Sequence, residues 1–239
     1  HGGRWGFGWL ADNHPEILKS EFAVNEGGGT PVELGDSLYY LLGIGEKGRM
    51  EIKITLKGES AHASVPWTGI NASYGLSKTL ELIRNYKPDL DTSLPLFEHL
   101  KNFGIENEVT EQNVNQIVKS LEDKIPVLAS LIRALSRMTI TPTIINGGIK
   151  SNSVPEEIFL TCDIRTLPFQ DEDYVKSELD KLFTNVENID YEIDYMSVPN
   201  SSPFETELAQ SIKKAHGIAV GRNDITWIPS ISNGFTDSR

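Results

Sequence analysis

Apolar residues fall at every second position in Met50-Glu51-Ile52-Lys53-Ile54-Thr55-Leu56-Lys57, the period of a strand with one buried face. After a turn around Pro66 and Gly69 the spacing changes. Ala72, Leu76, Leu80 and Ile83 recur at helical intervals within Asn71 to Tyr86. Alternation returns at Met138-Thr139-Ile140-Thr141, where Pro142 predicts an edge strand or a bulge. A Gly147-Gly148 turn leads into a further alternating run, with Ile158, Leu160, Cys162 and Ile164 on one face. Asp171-Glu172-Asp173 suits the start of a helix, where acidic groups face the positive end of the helix dipole, and Val175, Leu179 and Leu182 continue it. Ile189, Tyr191, Ile193 and Tyr195 alternate with Asp190, Glu192 and Asp194, which predicts a fourth strand with one wet face.

The order strand, helix, strand, strand, helix, strand is that of a ferredoxin-like βαββαβ sandwich, with two helices on one sheet face. Residues 87–137, between the first helix and the second strand, are too many for a plain loop. Gln112 to Leu121 and Pro126 to Leu135 have helical texture, so this stretch is read as an α-helical insertion. The flanks differ: Phe22-Ala23-Val24-Asn25 is a short apolar run read as a strand, Glu205 to His216 as a helix, and Ile225 to Ile228 as a strand. The expected class is α/β: an α+β inner domain at 45–199, inserted into an outer domain contributed by 1–44 and 200–239. The linkers are placed near Gly43-Ile44-Gly45 and Pro199 to Pro203.

Composition narrows the function classes. The 239 residues are 38% hydrophobic and 23% charged, as in a soluble globular protein, and no run of about 18 apolar residues suggests a membrane span. A net charge of −12 argues against a nucleic-acid partner, which needs a basic footprint, and suits a cytoplasmic protein. One cysteine, Cys162, excludes an intramolecular disulfide and reads as a buried strand thiol.

Candidate chemistry sits at a few places. Glu26 precedes three glycines, where backbone can pack closely and a carboxylate can face a cavity. His62 lies among small residues in Gly58-Glu59-Ser60-Ala61-His62-Ala63-Ser64-Val65-Pro66. Asn152 follows the Gly147-Gly148 turn, Arg165 ends the next strand, and Gly234-Phe235-Thr236-Asp237 puts a carboxylate in a turn. Judged singly, each has an ordinary structural reading as a turn former, a surface histidine or a surface ion pair.

Together they resemble the co-catalytic zinc exopeptidases and deacylases, a family that includes aminoacylase, acetylornithine deacetylase, succinyl-diaminopimelate desuccinylase and carboxypeptidase G. The resemblance rests on Gly2 to Leu10, Val24-Asn25-Glu26-Gly27-Gly28, the Gly58 to Pro66 loop, Asn152-Ser153-Val154-Pro155 with Asp163-Ile164-Arg165, and Gly234 to Asp237, in that order. It implies a hydrolase that cleaves the amide of an N-acyl amino acid or a C-terminal peptide bond. It also implies two zinc ions with Glu26 as a ligand, and a lid domain that forms a homodimer. In that scheme His62 donates to the oxyanion in the other subunit's site, Asn152 and Arg165 grip the substrate carboxylate, and Gly234 offers backbone to it. A glutamate at position 26 leans toward deacylase or carboxypeptidase action. The other ligands and the general base would lie before His1 and after Arg239, so the chain by itself is expected to bind zinc weakly or not at all and to be inactive. His1, His14, His99 and His216 match no ligand and are read as surface residues. The competing reading is a non-catalytic dimerisation or ligand-binding module of the same fold.

Overall fold

A computed structural model describes residues 6–25, 29, 31–34, 37–222, 224–234 and 236. Along the chain lie α1 (Phe7–Asn13), α2 (Pro15–Leu18), β1 (Pro31–Leu34), β2 (Ser37–Glu46), β3 (Gly48–Lys57), α3 (Ala72–Arg84), α4 (Pro95–Glu98), α5 (Val114–Leu121) and α6 (Pro126–Leu135). There follow β4 (Thr139–Gly147), β5 (Glu157–Thr166), α7 (Glu172–Phe183), β6 (Ile189–Ser197), β7 (Asn200–Ser201), α8 (Glu207–Val220) and β8 (Thr226–Ser232). They divide into two units: residues 1–47, 90–137 and 198–239, and residues 48–89 and 138–197.

The second unit is the ferredoxin-like sandwich. Its sheet runs β4-β5-β3-β6, every pair antiparallel. The period-two patterns of β3 and β5 put Met50, Ile52, Ile54 and Leu56 beside Leu160, Cys162 and Ile164 in one core, with Val175, Leu179 and Phe183 of α7 against them. Each such side chain contributes about 1.5–3 kcal/mol by leaving water. Both helices are capped from the sequence: Asn71 accepts from the Ser73 amide and Asp171 from the Tyr174 amide. Past the end of α3, the Tyr86 hydroxyl donates to Glu178 of α7 at 2.7 Å, and Lys181 donates to the same carboxylate at 2.6 Å. Burial opposes ionisation of Glu178, but these two donors outweigh it and its pKa is lowered. Cys162 is fully buried, and burial pushes its thiol up to about 12. Pro142 fits both expectations for it, since β4 is an edge strand with a register shift between Pro142 and Ile144.

In the first unit β2 pairs antiparallel with β1 and β7 and parallel with β8. The helical segment expected as an insertion into the inner domain groups with this unit instead. A physical reason is Lys47, which is fully buried and donates to the carbonyls of Ala134 and Arg137 at 2.7 and 2.8 Å, satisfying the C-terminal end of α6. The expected linker at Gly43-Ile44-Gly45 lies inside β2. Gly45 is needed there because a Cβ would collide with the Asn200 carbonyl. Residues 22–25, expected as a strand, belong to no regular element and pair with no strand among the described residues. His216 is not the expected surface residue. Its ring packs edge-on to Tyr40 at 4.2 Å and Trp227 at 5.1 Å, with Nδ1 buried.

Candidate active site

In the second unit, β3 ends at Lys57 and the chain turns into a closed loop. Glu59 and Ile70 exchange both backbone hydrogen bonds, at 2.8 and 3.0 Å. Glycine is required at the neck, where a Cβ on Gly69 would sit 2.5 Å from the Glu59 carbonyl oxygen and 2.8 Å from the Ala61 Cβ. The loop is stitched to the chain before β5: the Ala63 amide donates to the Asn152 carbonyl at 3.0 Å, and the Val154 amide to the Ala61 carbonyl at 2.8 Å. His62 and Ser153 therefore form an antiparallel bridge, and the hydroxyls of Ser60 and Ser153 lie 3.2 Å apart. This brings His62 and Asn152 together at one end of the sheet, both exposed.

The His62 ring is oriented locally. Its Nδ1 accepts from the Ser64 amide at 3.2 Å and lies 2.8 Å from the Ser64 hydroxyl. A nitrogen that accepts from a backbone N–H carries no proton, so the neutral ring holds its proton on Nε2, a donor free of that local bond.

Arg165 lies at the opposite end of the same sheet. Its neighbour across the strands is Arg49 at the start of β3, whereas Lys57, just before the His62 loop, pairs with Glu157. Those two register positions on β5 are separated by roughly 26 Å at strand rise. Arg165 Nε donates to Asp163 Oδ1 at 2.6 Å, and Arg49 Nε donates to Oδ2 at 2.7 Å. Burial opposes ionisation of Asp163, and the hydrogen bonds from the two guanidinium groups outweigh it, so its pKa is lowered. The sequence motif signalled Asp163; Arg49 was missed because its place is set by strand register.

In the first unit, Gly234 follows β8, its amide donating to the Ser232 hydroxyl at 3.1 Å. Glu46 at the end of β2 accepts from the Thr236 amide at 3.0 Å and from its hydroxyl at 2.5 Å, and Asn25 donates to the same hydroxyl. The residues flanking Glu26 and Asp237 are thus drawn together from 211 positions apart, while Glu26 and Asp237 themselves lie outside the described residues. Glu46 was not singled out in the sequence, having no motif of its own. Among the described residues no group of three or more His, Cys, Asp or Glu could hold a metal ion.

The peptidase dimerisation domain matches residues 44–190. A probable succinyl-diaminopimelate desuccinylase of Staphylococcus aureus is 30% identical over 202 residues, covering 80% of this chain and 43% of that protein. An uncharacterized carboxypeptidase of Schizosaccharomyces pombe is 29% identical over 146 residues, covering 59% of this chain and 24% of that protein. The chain thus spans less than half the length of these curated relatives. Among solved structures, an M20 family metallo-carboxypeptidase from Sulfolobus solfataricus aligns over 97% of this chain and 54% of its own, with a TM-score of 0.59 and 16% identity. A di-peptidase from Saccharomyces cerevisiae aligns over 81% of this chain and 44% of its own, with a TM-score of 0.54 and 17% identity. At such identities these two likenesses speak to the fold alone. With that fold, and with a family match over more than half of its length, the chain belongs to the M20 peptidases that carry the peptidase dimerisation domain.

Proposed function

We propose that this chain is the lid-bearing part of a metal-dependent amidohydrolase that removes the acyl group of an N-acyl amino acid or cleaves a C-terminal peptide bond, acting as a homodimer. The observation that carries the reading is the separation of the candidate residues. His62 and Asn152 share one end of the sheet, and Arg165 sits at the other. One substrate cannot touch both ends of a single copy. Two copies related by a two-fold axis, with β4 edges antiparallel, would lay the His62 end of one beside the Arg165 end of the other. The β4 edge suits such pairing. It has β5 as its one partner among the described residues, exposes Ile144 and Ile145, and carries no charged residue from Thr139 to Ile149. The β6 edge carries Asp190 and Glu192.

In this reading Nε2–H of His62 donates to the oxygen on which charge develops, and Asn152 with Arg165 of the other subunit holds the substrate carboxylate. Gly234 offers backbone to the same end. Glu26 is the one metal ligand that the resemblance places in this chain. Among the described residues no metal site is formed, and this chain's own groups bind, orient and donate a proton to the substrate.

The test uses the full-length protein against N-acyl amino acids and peptides. His62→Ala should lower kcat by about 10²–10³ with unchanged metal content, the loss of one oxyanion donor. Arg165→Ala should be impaired through substrate binding. Mixing the two should restore activity, because each heterodimer contains one site with an intact His62 and an intact Arg165. No recovery despite demonstrated subunit exchange would reject delivery in trans. An inert full-length wild type would leave the non-catalytic module as the better reading.

A further inference from the structure

Register pairs Glu46, the last residue of β2, with Ser232, the last of β8, and the Lys47 amide donates to the Ser232 carbonyl at 2.8 Å. Beyond β8 the chain returns to the same glutamate. The Thr236 amide donates to Glu46 Oε2 at 3.0 Å and the Thr236 hydroxyl to Oε1 at 2.5 Å. One residue therefore clamps both ends of the turn that carries Gly234, by backbone register at 232 and by its side chain at 236. Within that turn the Gly234 amide donates to the Ser232 hydroxyl at 3.1 Å. The clamp suits a carboxylate. Two donors from one residue meet two oxygens, and a carboxylate accepts at both, whereas the carboxamide of glutamine would turn its own N–H groups toward one of them. A hydroxyl has one proton. That of Thr236 goes to Glu46, which leaves its lone pairs for Asn25, whose Nδ2 donates to Oγ1. Each donor in the series Asn25, Thr236, Glu46 thus points toward the negative charge, and charge-assisted bonds are the stronger ones. Asn25 is exposed and Thr236 half-buried, so packing in a core does not impose these bonds.

We infer that Glu46 is a positioning residue of the proposed active site. Acting through Thr236, it holds the turn of Gly234 and the segment at Asn25 in one arrangement, so that the Gly234 backbone is in place before substrate arrives. The inference rests on the function proposed above and adds to it a residue that itself touches no substrate. Such a clamp matters because a displacement of about 1 Å at a contact with substrate can cost a large factor in rate. No local pattern marks the residue: Asn25 and Thr236 stand 211 positions apart, and Glu46 and Thr236 190.

The experiment uses the full-length protein as wild type, Glu46→Gln, Thr236→Val, Thr236→Ser and, as a distant control, Lys176→Ala. Each is followed by kcat and KM on N-acyl amino acids, by a thermal melt and by amide hydrogen exchange. Glu46→Gln and Thr236→Val should each lower kcat/KM by about tenfold, chiefly through a raised KM, because the grip on the substrate carboxylate is loosened. Melting midpoints should stay close to wild type, and the control should be unchanged. Thr236→Ser keeps the hydroxyl and should recover most of the loss seen with Thr236→Val, which a role in packing alone would not predict. Exchange at the Thr236 and Gly234 amides should quicken in Glu46→Gln. Wild-type KM in both Glu46→Gln and Thr236→Val overturns the inference and leaves the proposed function standing. A fall confined to kcat overturns it too, since the effect would then lie away from substrate binding. An inert full-length wild type overturns the inference and the proposed function together.

Discussion

Asp163 accepts from Arg165 and Arg49 at once and so fixes the guanidinium proposed to bind substrate. Because its folded pKa is lowered, its contribution to stability is complete above the ordinary carboxylate range. It is lost as pH falls through the lowered value. Asp163→Asn should therefore destabilise the second unit by about 1–3 kcal/mol near neutral pH. The difference from wild type should shrink on acidification below about pH 4. Urea melts of both proteins across pH 3–7 would check this; a pH-independent gap would mean that the carboxylate charge is not what matters. Single residues were legible to the extent that their partners are local. Asp163 and Arg165 are two apart and His62 and Ser64 are two apart, so their pairing could be anticipated. Glu46 with Thr236, and Lys47 with the end of α6, are joined only by the fold.

The same distinction holds for elements. Strands β3, β5 and β6 and helices α3, α6 and α7 followed from their periods, because each buries one regular face. Strand β2 did not. Its run Leu38-Tyr39-Tyr40-Leu41-Leu42 does not alternate, and Gly43 and Gly45 suggest a linker until the β8 pairing and the Asn200 approach are known. Glycine in the His62 loop has the opposite character, being both visible in sequence and needed for space. Gly69 has an extended backbone that any residue could adopt, so contact with Glu59 and Ala61, and not its dihedral angles, forbids a side chain. Gly69→Ala should cost about 1–3 kcal/mol by overpacking. It should also loosen the Glu59–Ile70 closure, read as faster amide exchange at Ile70. Unchanged exchange and an unchanged melting midpoint would show that the neck has room to yield.

For the molecule as a whole, the chain passes between the two units at 47/48, 89/90, 137/138 and 197/198; the first and last lie close to the linkers expected from glycine and proline, whereas no linker composition announces the two inner crossings. Alternation of periods located the second unit, but the ownership of residues 90–137 depends on contacts such as that of Lys47, invisible to any local window. The ends of that segment are adjacent, since Leu90 and Arg137 form an antiparallel bridge. This adjacency makes the division testable. A chain of residues 48–89 and 138–197, joined by a few glycine and serine residues in place of 90–137, keeps every strand of the β4-β5-β3-β6 sheet and the buried cluster between Met50 and Val186. It removes no member of that cluster, so the main new cost is closure of one short loop, which is small. The shortened protein should fold to a cooperative thermal transition with dispersed amide resonances. A broad, non-cooperative transition with collapsed amide dispersion would mean that residues 90–137 belong to the folding of the sheet after all.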